Sequence, residues 1–231
     1  MRWNNHLLHG YHWCREISDL ATKQRRARTI VAEAQNGQVI GVGTGSSSYV
    51  GLCALAERMK TEGLQVTVIP AASEIELACA SLGVPMTTLD AAKPDWCFDG
   101  ADEIGADGSV VKGRGGGLFR EKLIIAAADK RWLIAEDRKF VDRVGACPIP
   151  VEVFPQAVHL VEAGLTRLGA NDVRLRLATS KDGPVITENG NLLLDCTFAA
   201  VEPGLEQAIK ALPGVIESGL FQGYHFSFLR D

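Results

Sequence analysis

Residues 96–122, WCFDGADEIGADGSVVKGRGGGLFREK, run from a short apolar strand through a carboxylate-rich turn and a glycine loop into a helix. Trp96, Cys97 and Phe98 form the apolar run, and Asp99, Asp102 and Glu103 crowd its carboxyl end. Lys112 then opens a stretch in which Gly113, Gly115, Gly116 and Gly117 are broken only by Arg114. Glu121 follows between Arg120 and Lys122, on a helix expected over 120–128. In open α/β sheets the ligand crevice lies beyond the carboxyl ends of the strands, so the three acids are well placed for a site. Carboxylates near an ammonium group, with glycines that let the backbone approach a ligand, suit the movement of protons on a small anion. Two or three carboxylates would also suit a divalent metal, and a solvated acidic turn is the plainest alternative. Taken alone, Glu121 reads as a surface glutamate, and Lys23 and Lys139 as solvated lysines.

Outward from this segment, strands and helices alternate. A helix is expected over 18–36, begun by Ser18 or Asp19 and ended near Asn36-Gly37. Strands are expected at Val39–Val42, Gln65–Ile69 and Trp132–Ala135, with helices running to about Lys60 and over Glu74–Leu82. The alternation predicts the α/β class with a doubly wound, mostly parallel Rossmann-like sheet. After residue 147 the pattern changes. Cys147 to Pro155 carries three prolines and reads as a crossing between domains. Beyond it a helix is expected over 156–168 and a strand over 172–177. A hairpin of 185–187 with 192–197 would turn at Glu188-Asn189-Gly190-Asn191, followed by a helix over 204–212 and a last strand over 224–229. The expected organisation is an α/β domain over 1–147, including an irregular stretch over 1–20, and a smaller α+β domain over 148–231.

Gly41-Val42-Gly43-Thr44-Gly45-Ser46-Ser47-Ser48 lies between a strand and a helix. Backbone N–H groups at a helix start, with several hydroxyls, can hold a phosphate. The loop is no dinucleotide fingerprint, because Ser46 stands where the third glycine of G-x-G-x-x-G would fall, and no acid ends the second strand. A phosphate without a nucleotide is the sharper reading, and a serine-capped tight turn the plainer one.

Composition narrows the classes further. The chain has 231 residues, 46% hydrophobic and 23% charged, with a formal charge of −4. That balance is globular and offers no basic field for nucleic acid. No apolar run nears the roughly 20 residues of a membrane helix, and a secretory signal is not expected. Cys14, Cys53, Cys79, Cys97, Cys147 and Cys196 form no C-x-x-C pair, which fits reduced thiols in the cytoplasm. His6, His9 and His12 with Cys14 could suggest a metal, but no later cluster completes a site, and none is expected.

With these motifs in hand, the sequence resembles ribose-5-phosphate isomerases of the A type from about Lys23 to Phe221. The resemblance rests on GVGTGSS at 41–47, DGADEI at 99–104, KGRGGGLFREK at 112–122, Lys139 after Glu136-Asp137-Arg138, PVEV at 150–153 and the PGV…GLF end at 213–221. It implies interconversion of D-ribose 5-phosphate and D-ribulose 5-phosphate through an enediol(ate), in the non-oxidative pentose phosphate pathway, with no metal or other cofactor. By the same resemblance, Glu121 would be the base that moves the proton between C2 and C1. It implies that Lys112 would stabilise the charge on oxygen, and that Asp99 and Asp102 would contact the sugar hydroxyls and help open the furanose ring. The resemblance implies that Thr44, Gly45, Ser46 and Ser47 would bind substrate, with Gly100, Ala101, Gly113, Arg114 and Gly115 of the matched motifs, and that Lys23 and Lys139 would reach the phosphate end. The resemblance also implies a homodimer or homotetramer, with the smaller domain as contact surface.

Arg114 departs from the family's unbroken glycine run, and Pro70-Ala71-Ala72-Ser73 replaces a serine-rich stretch. A sugar-phosphate-binding regulatory module without catalysis is the alternative function, opposed by the joint presence of Lys112 and Glu121. An amino-sugar-phosphate deaminase would be expected to carry a core histidine, and residues 13–158 contain none.

Overall fold

The computed structural model describes residues 11–229. His6, His9 and the first half of the expected irregular stretch lie outside them. The chain runs through α1 (Leu20–Val31), β1 (Val39–Val42), α2 (Gly45–Glu62), β2 (Thr67–Pro70), α3 (Ser73–Leu82) and β3 (Trp96–Asp99). It continues through β4 (Glu103–Gly105), β5 (Val110–Val111), α4 (Leu118–Ala127), β6 (Lys130–Leu133), β7 (Phe140–Val141) and β8 (Ile149–Val153). It ends with α5 (Val158–Arg167), β9 (Ala170–Leu175), β10 (Leu192–Phe198), α6 (Leu205–Lys210), β11 (Val215–Ser218), β12 (Leu220–Phe221) and β13 (Ser227–Phe228). No helix of the described residues is long and apolar enough to cross a membrane.

Two compact units share the chain. The first holds the described residues up to Gly100, Arg120–Asp137 and those from Phe226 on. The second holds Ala101–Phe119 and Arg138–His225.

The first unit is built on a five-stranded sheet in the order β13-β6-β3-β1-β2. Every pairing in it is parallel. The mostly parallel α/β sheet expected from the alternating pattern is therefore present. Strand order turns back at β1, which has β2 on one side and β3 on the other. Ligand sites of such sheets lie at this switch, beyond the strand ends. Ile40, Val42, Leu52, Leu55, Val68, Ile75, Phe98 and Ile134 are buried in the core of this unit, each contributing about 1.5–3 kcal/mol relative to exposure. Gly41 permits close packing of helix on sheet, since a β-carbon there would overlap Ile124 of α4 and Cys97 of β3.

The second unit holds an antiparallel sheet in the order β11-β8-β10-β9 and a second sheet in the order β12-β5-β4-β7. Its core gathers Val111, Ile149, Val151, Val153, Leu165, Leu194, Cys196, Ile209 and Leu220.

Four expected elements differ. The first helix stops at Val31 rather than near residue 36, because the Arg58 guanidinium takes the carbonyls of Val31 and Ala34 at 2.6 and 3.2 Å. The three-proline stretch contains a strand: β8 is buried along its whole length and pairs with β10 on one side and β11 on the other. Residues 185–187 form no strand, since Val185 N–H bonds to Arg176 and Thr187 N–H to Asn191, leaving no continuous ladder. The last strand belongs to the parallel sheet of the first unit, where Ser227 pairs with Trp132 and Phe228 with Leu133.

Candidate active site

In the first unit the loop after β1 and the end of β3 meet at the switch in strand order. Gly43 N–H bonds to the Phe98 carbonyl at 3.0 Å, which joins the two strand ends. A β-carbon at Gly43 would overlap the Asp99 carboxyl group, so this position has room only for glycine. Asp99 is 2% exposed. Its Oδ1 accepts the N–H of Thr44 at 3.2 Å, the hydroxyl of Ser48 at 3.0 Å and the N–H of Gly100 at 2.7 Å. A carboxylate held by three donors is fixed in orientation, and it orders the start of α2 in turn.

Thr44 also faces α4. Its hydroxyl donates to Glu121 Oε1, and Glu121 is 2% exposed. The glutamate that reads locally as a surface residue is thus buried against the phosphate-type loop. Ser47 is buried and packs against Gly100, where a β-carbon would lie 3.2 Å from that of Ser47. Gly45, with φ +75°, opens α2, and Ser46 beside it is half-buried. Lys23 reaches this loop from α1. Its ammonium lies 3.4 Å from Ser46 Oγ, 2.8 Å from the Ser18 carbonyl and 2.8 Å from Glu136 Oε1. Ser18, expected to cap α1, donates its hydroxyl to Glu136 at 2.8 Å.

The second unit holds the other expected residues. Asp102 is half-buried, its N–H bonds to the Val111 carbonyl at 2.8 Å, and its Oδ2 accepts the N–H of Arg114 at 3.1 Å. Ala101 beside it is also half-buried. Lys112 is 3% exposed, and its N–H bonds to the Gly219 carbonyl at 2.8 Å. Gly113 has φ +97°, and a β-carbon there would crowd Leu118 and Pro150. Arg114 and Gly115 are exposed, and Lys139 is half-buried at the end of a 3-10 turn, Asp137–Lys139.

Glu103 departs from the expected carboxylate cluster. It is buried and accepts the N–H groups of Gly145 at 2.7 Å and Cys147 at 2.8 Å, a structural task within the second unit. Burial first, and then the Glu103 charge, push the Cys147 thiol up, with Lys139 opposing. Glu136 in the first unit, and Arg176 and Asp195 in the second, are not legible in the sequence as partners of the expected residues. Glu136 sits in the quoted Glu-Asp-Arg-Lys run, but only the fold brings it to Lys23. Arg176 lies in strand-like sequence far from the glycine loop whose carbonyls it reaches, and Asp195 far from Arg176, which it holds.

A buried glutamate tied to a glycine- and hydroxyl-rich loop, at the switch point of a parallel sheet, is the arrangement in which α/β proteins form small-ligand sites. The family described as ribose 5-phosphate isomerase A (phosphoriboisomerase A) matches residues 67–228. Ribose-5-phosphate isomerase A of Natronomonas pharaonis is 40% identical over 205 residues, covering 88% of this chain and 89% of that protein. That of Methanothermobacter thermautotrophicus is 37% identical over 203 residues, covering 87% and 89%. Among solved structures, ribose 5-phosphate isomerase A from Methanocaldococcus jannaschii superposes with a TM-score of 0.88 at 34% identity, covering 91% of this chain and 95% of that one. A D-ribose-5-phosphate isomerase in complex with phospho-erythronic acid superposes with a TM-score of 0.85 at 30% identity, covering 93% and 96%. The chain belongs to the ribose 5-phosphate isomerase A family.

Proposed function

We propose that this chain interconverts D-ribose 5-phosphate and D-ribulose 5-phosphate, with Glu121 as the group that carries the proton. Family membership supports the reaction. The observation that carries the assignment to Glu121 is its burial together with the hydrogen bond from Thr44, which ties the carboxylate to the loop suited to phosphate. An aldose–ketose shift needs one base that removes the C2 proton of the open-chain aldehyde and returns it to C1, and such a base commonly contributes ~10²–10⁴-fold. The enediolate formed between the two transfers needs a positioned positive group, the role given to Lys112. Asp99 and Asp102 would receive the sugar hydroxyls and assist ring opening. Thr44 to Ser47 with Gly100, Ala101 and Gly113 to Gly115 would line the substrate. Lys23 and Lys139 would serve the phosphate end, where binding energy remote from the reacting carbons can be spent on orientation. The relative solved with phospho-erythronic acid supports a ligand of this kind.

No cofactor enters this scheme. The protein would work in the cytoplasm as a homodimer or homotetramer through its smaller unit. Running the reaction in D2O tests the chemistry: proton transfer through a base places solvent deuterium at C1 of ribulose 5-phosphate. Deuterium incorporation at C1 and turnover that are the same in Glu121→Gln as in wild type would contradict the role of Glu121.

A further inference from the structure

The glycine loop after Lys112 has few side chains with which to pack, yet its backbone is held. Arg176, one residue past β9, sends Nη1 to the carbonyl of Gly113 at 2.9 Å and to that of Arg114 at 2.9 Å. The other edge of the same guanidinium grips Asp195 of β10, with Nε on Oδ2 at 2.8 Å and Nη2 on Oδ1. The side chains of Arg176 and Asp195 are 16% and 26% exposed, so the pair is largely shielded from water. All these residues belong to the second unit.

We infer that Arg176, oriented by Asp195, is a positioning residue that fixes the glycine loop and thereby the direction in which Lys112 leaves the backbone. Lys112 is held on both sides. Its own N–H is bonded to Gly219, and the two carbonyls that follow it along the chain are bonded to Arg176. Glycines make such a loop costly to order, and two charge-assisted bonds to adjacent carbonyls offset that cost. Only a planar fork of donors can hold a carboxylate with one edge and two carbonyls with another; a lysine ammonium cannot. The clamp acts on main-chain oxygens while the side chain of Arg114 is exposed. It therefore accounts for the tolerance of a bulky residue within the glycine run. The inference rests on the isomerase reading for its kinetic consequence, and on the loop alone for its structural one.

The test compares Arg176→Lys and Asp195→Asn with wild type, each also in a Lys112→Met background. For ribose 5-phosphate, Arg176→Lys is expected to lower kcat on the order of 10–100-fold, with KM changed less than about threefold and Tm moved by less than about 4 °C. Asp195→Asn gives a smaller loss in the same direction. In the Lys112→Met background Arg176→Lys adds no further loss, because it acts through Lys112. Amide hydrogen exchange at residues 112–117 rises in Arg176→Lys while the rest of the second unit stays protected. Unchanged exchange in the loop overturns the clamp whether or not the protein turns over this sugar. Faster exchange with unaltered kcat, or an equal loss of kcat in the Lys112→Met background, overturns the positioning role. A wild-type protein inactive on ribose 5-phosphate counts against the isomerase reading, and the exchange measurement still decides the clamp.

Discussion

Glu121 and Lys23 show how a residue's neighbours override its local sequence. Between Arg120 and Lys122, Glu121 has the surroundings of a solvated glutamate, and its burial is visible only once α4 lies on the loop that carries Thr44. Motif resemblance singled it out, whereas helical periodicity could not. Lys23 forms a buried pair with Glu136, with side-chain exposures of 6% and 3%. Removing one partner of such a pair leaves an uncompensated charge, so Glu136→Ala should cost about 3–5 kcal/mol in urea unfolding; a loss below about 1 kcal/mol would mean that water already screens the pair. At Gly43, alanine would drive a methyl group into the Asp99 carboxyl. Gly43→Ala should reduce kcat/KM at least about tenfold through displacement of that carboxylate and Thr44, and wild-type kinetics in this variant would show that the loop yields without consequence.

At the scale of elements, the strands and helices of the parallel sheet were legible because each carries an apolar run bounded by Gly, Pro or Asn. Glu74–Leu82 ending at Gly83 is a case in point, and Gly83 adopts φ +74°. β8 was not legible. Three prolines between 148 and 155 signal a loop, but two neighbouring strands enclose the segment, and Gly219 N–H bonds to the Pro150 carbonyl at 2.7 Å. Glu152 within it is fully buried, and its partners Thr187, Asn189 and Asn191 lie more than thirty residues away in sequence. The Asn-Gly turn formed as expected, with Gly190 at φ +77°, while its first arm made separate bonds instead of a ladder. Glu103 anchors the segment before β8 through the Gly145 and Cys147 N–H groups. Glu103→Ala should therefore destabilise the protein by about 2–4 kcal/mol and speed amide exchange at 145–147. Protection that persists there would assign the anchoring to other contacts.

For the molecule as a whole, burial pushes one thiol in each unit, Cys79 and Cys196, up to about 12 from 9.0, with the charges of Glu76 and Asp195 adding to the respective shifts. Both states keep these thiols protonated at neutral pH. As pH rises past about 9 the unfolded chain releases the protons and the native one retains them, so stability falls until about pH 12, by up to ~1.4 kcal/mol per pH unit for each thiol. Chemical unfolding at pH 8, 9 and 10 should show this decline beginning near pH 9, and Cys79→Ala together with Cys196→Ala should flatten it; an unaltered slope in that variant would place its origin elsewhere. Whether Glu121 is the base of the family reaction is tested most directly by ribulose 5-phosphate formation from ribose 5-phosphate, in EDTA, by wild type and Glu121→Gln. Wild-type turnover that survives the chelator, with a loss in the variant of at least about 10²-fold in kcat and a retained fold, is the predicted result. A folded wild-type protein that binds the sugar phosphate without converting it, or a Glu121→Gln variant that keeps its kcat, would contradict the account.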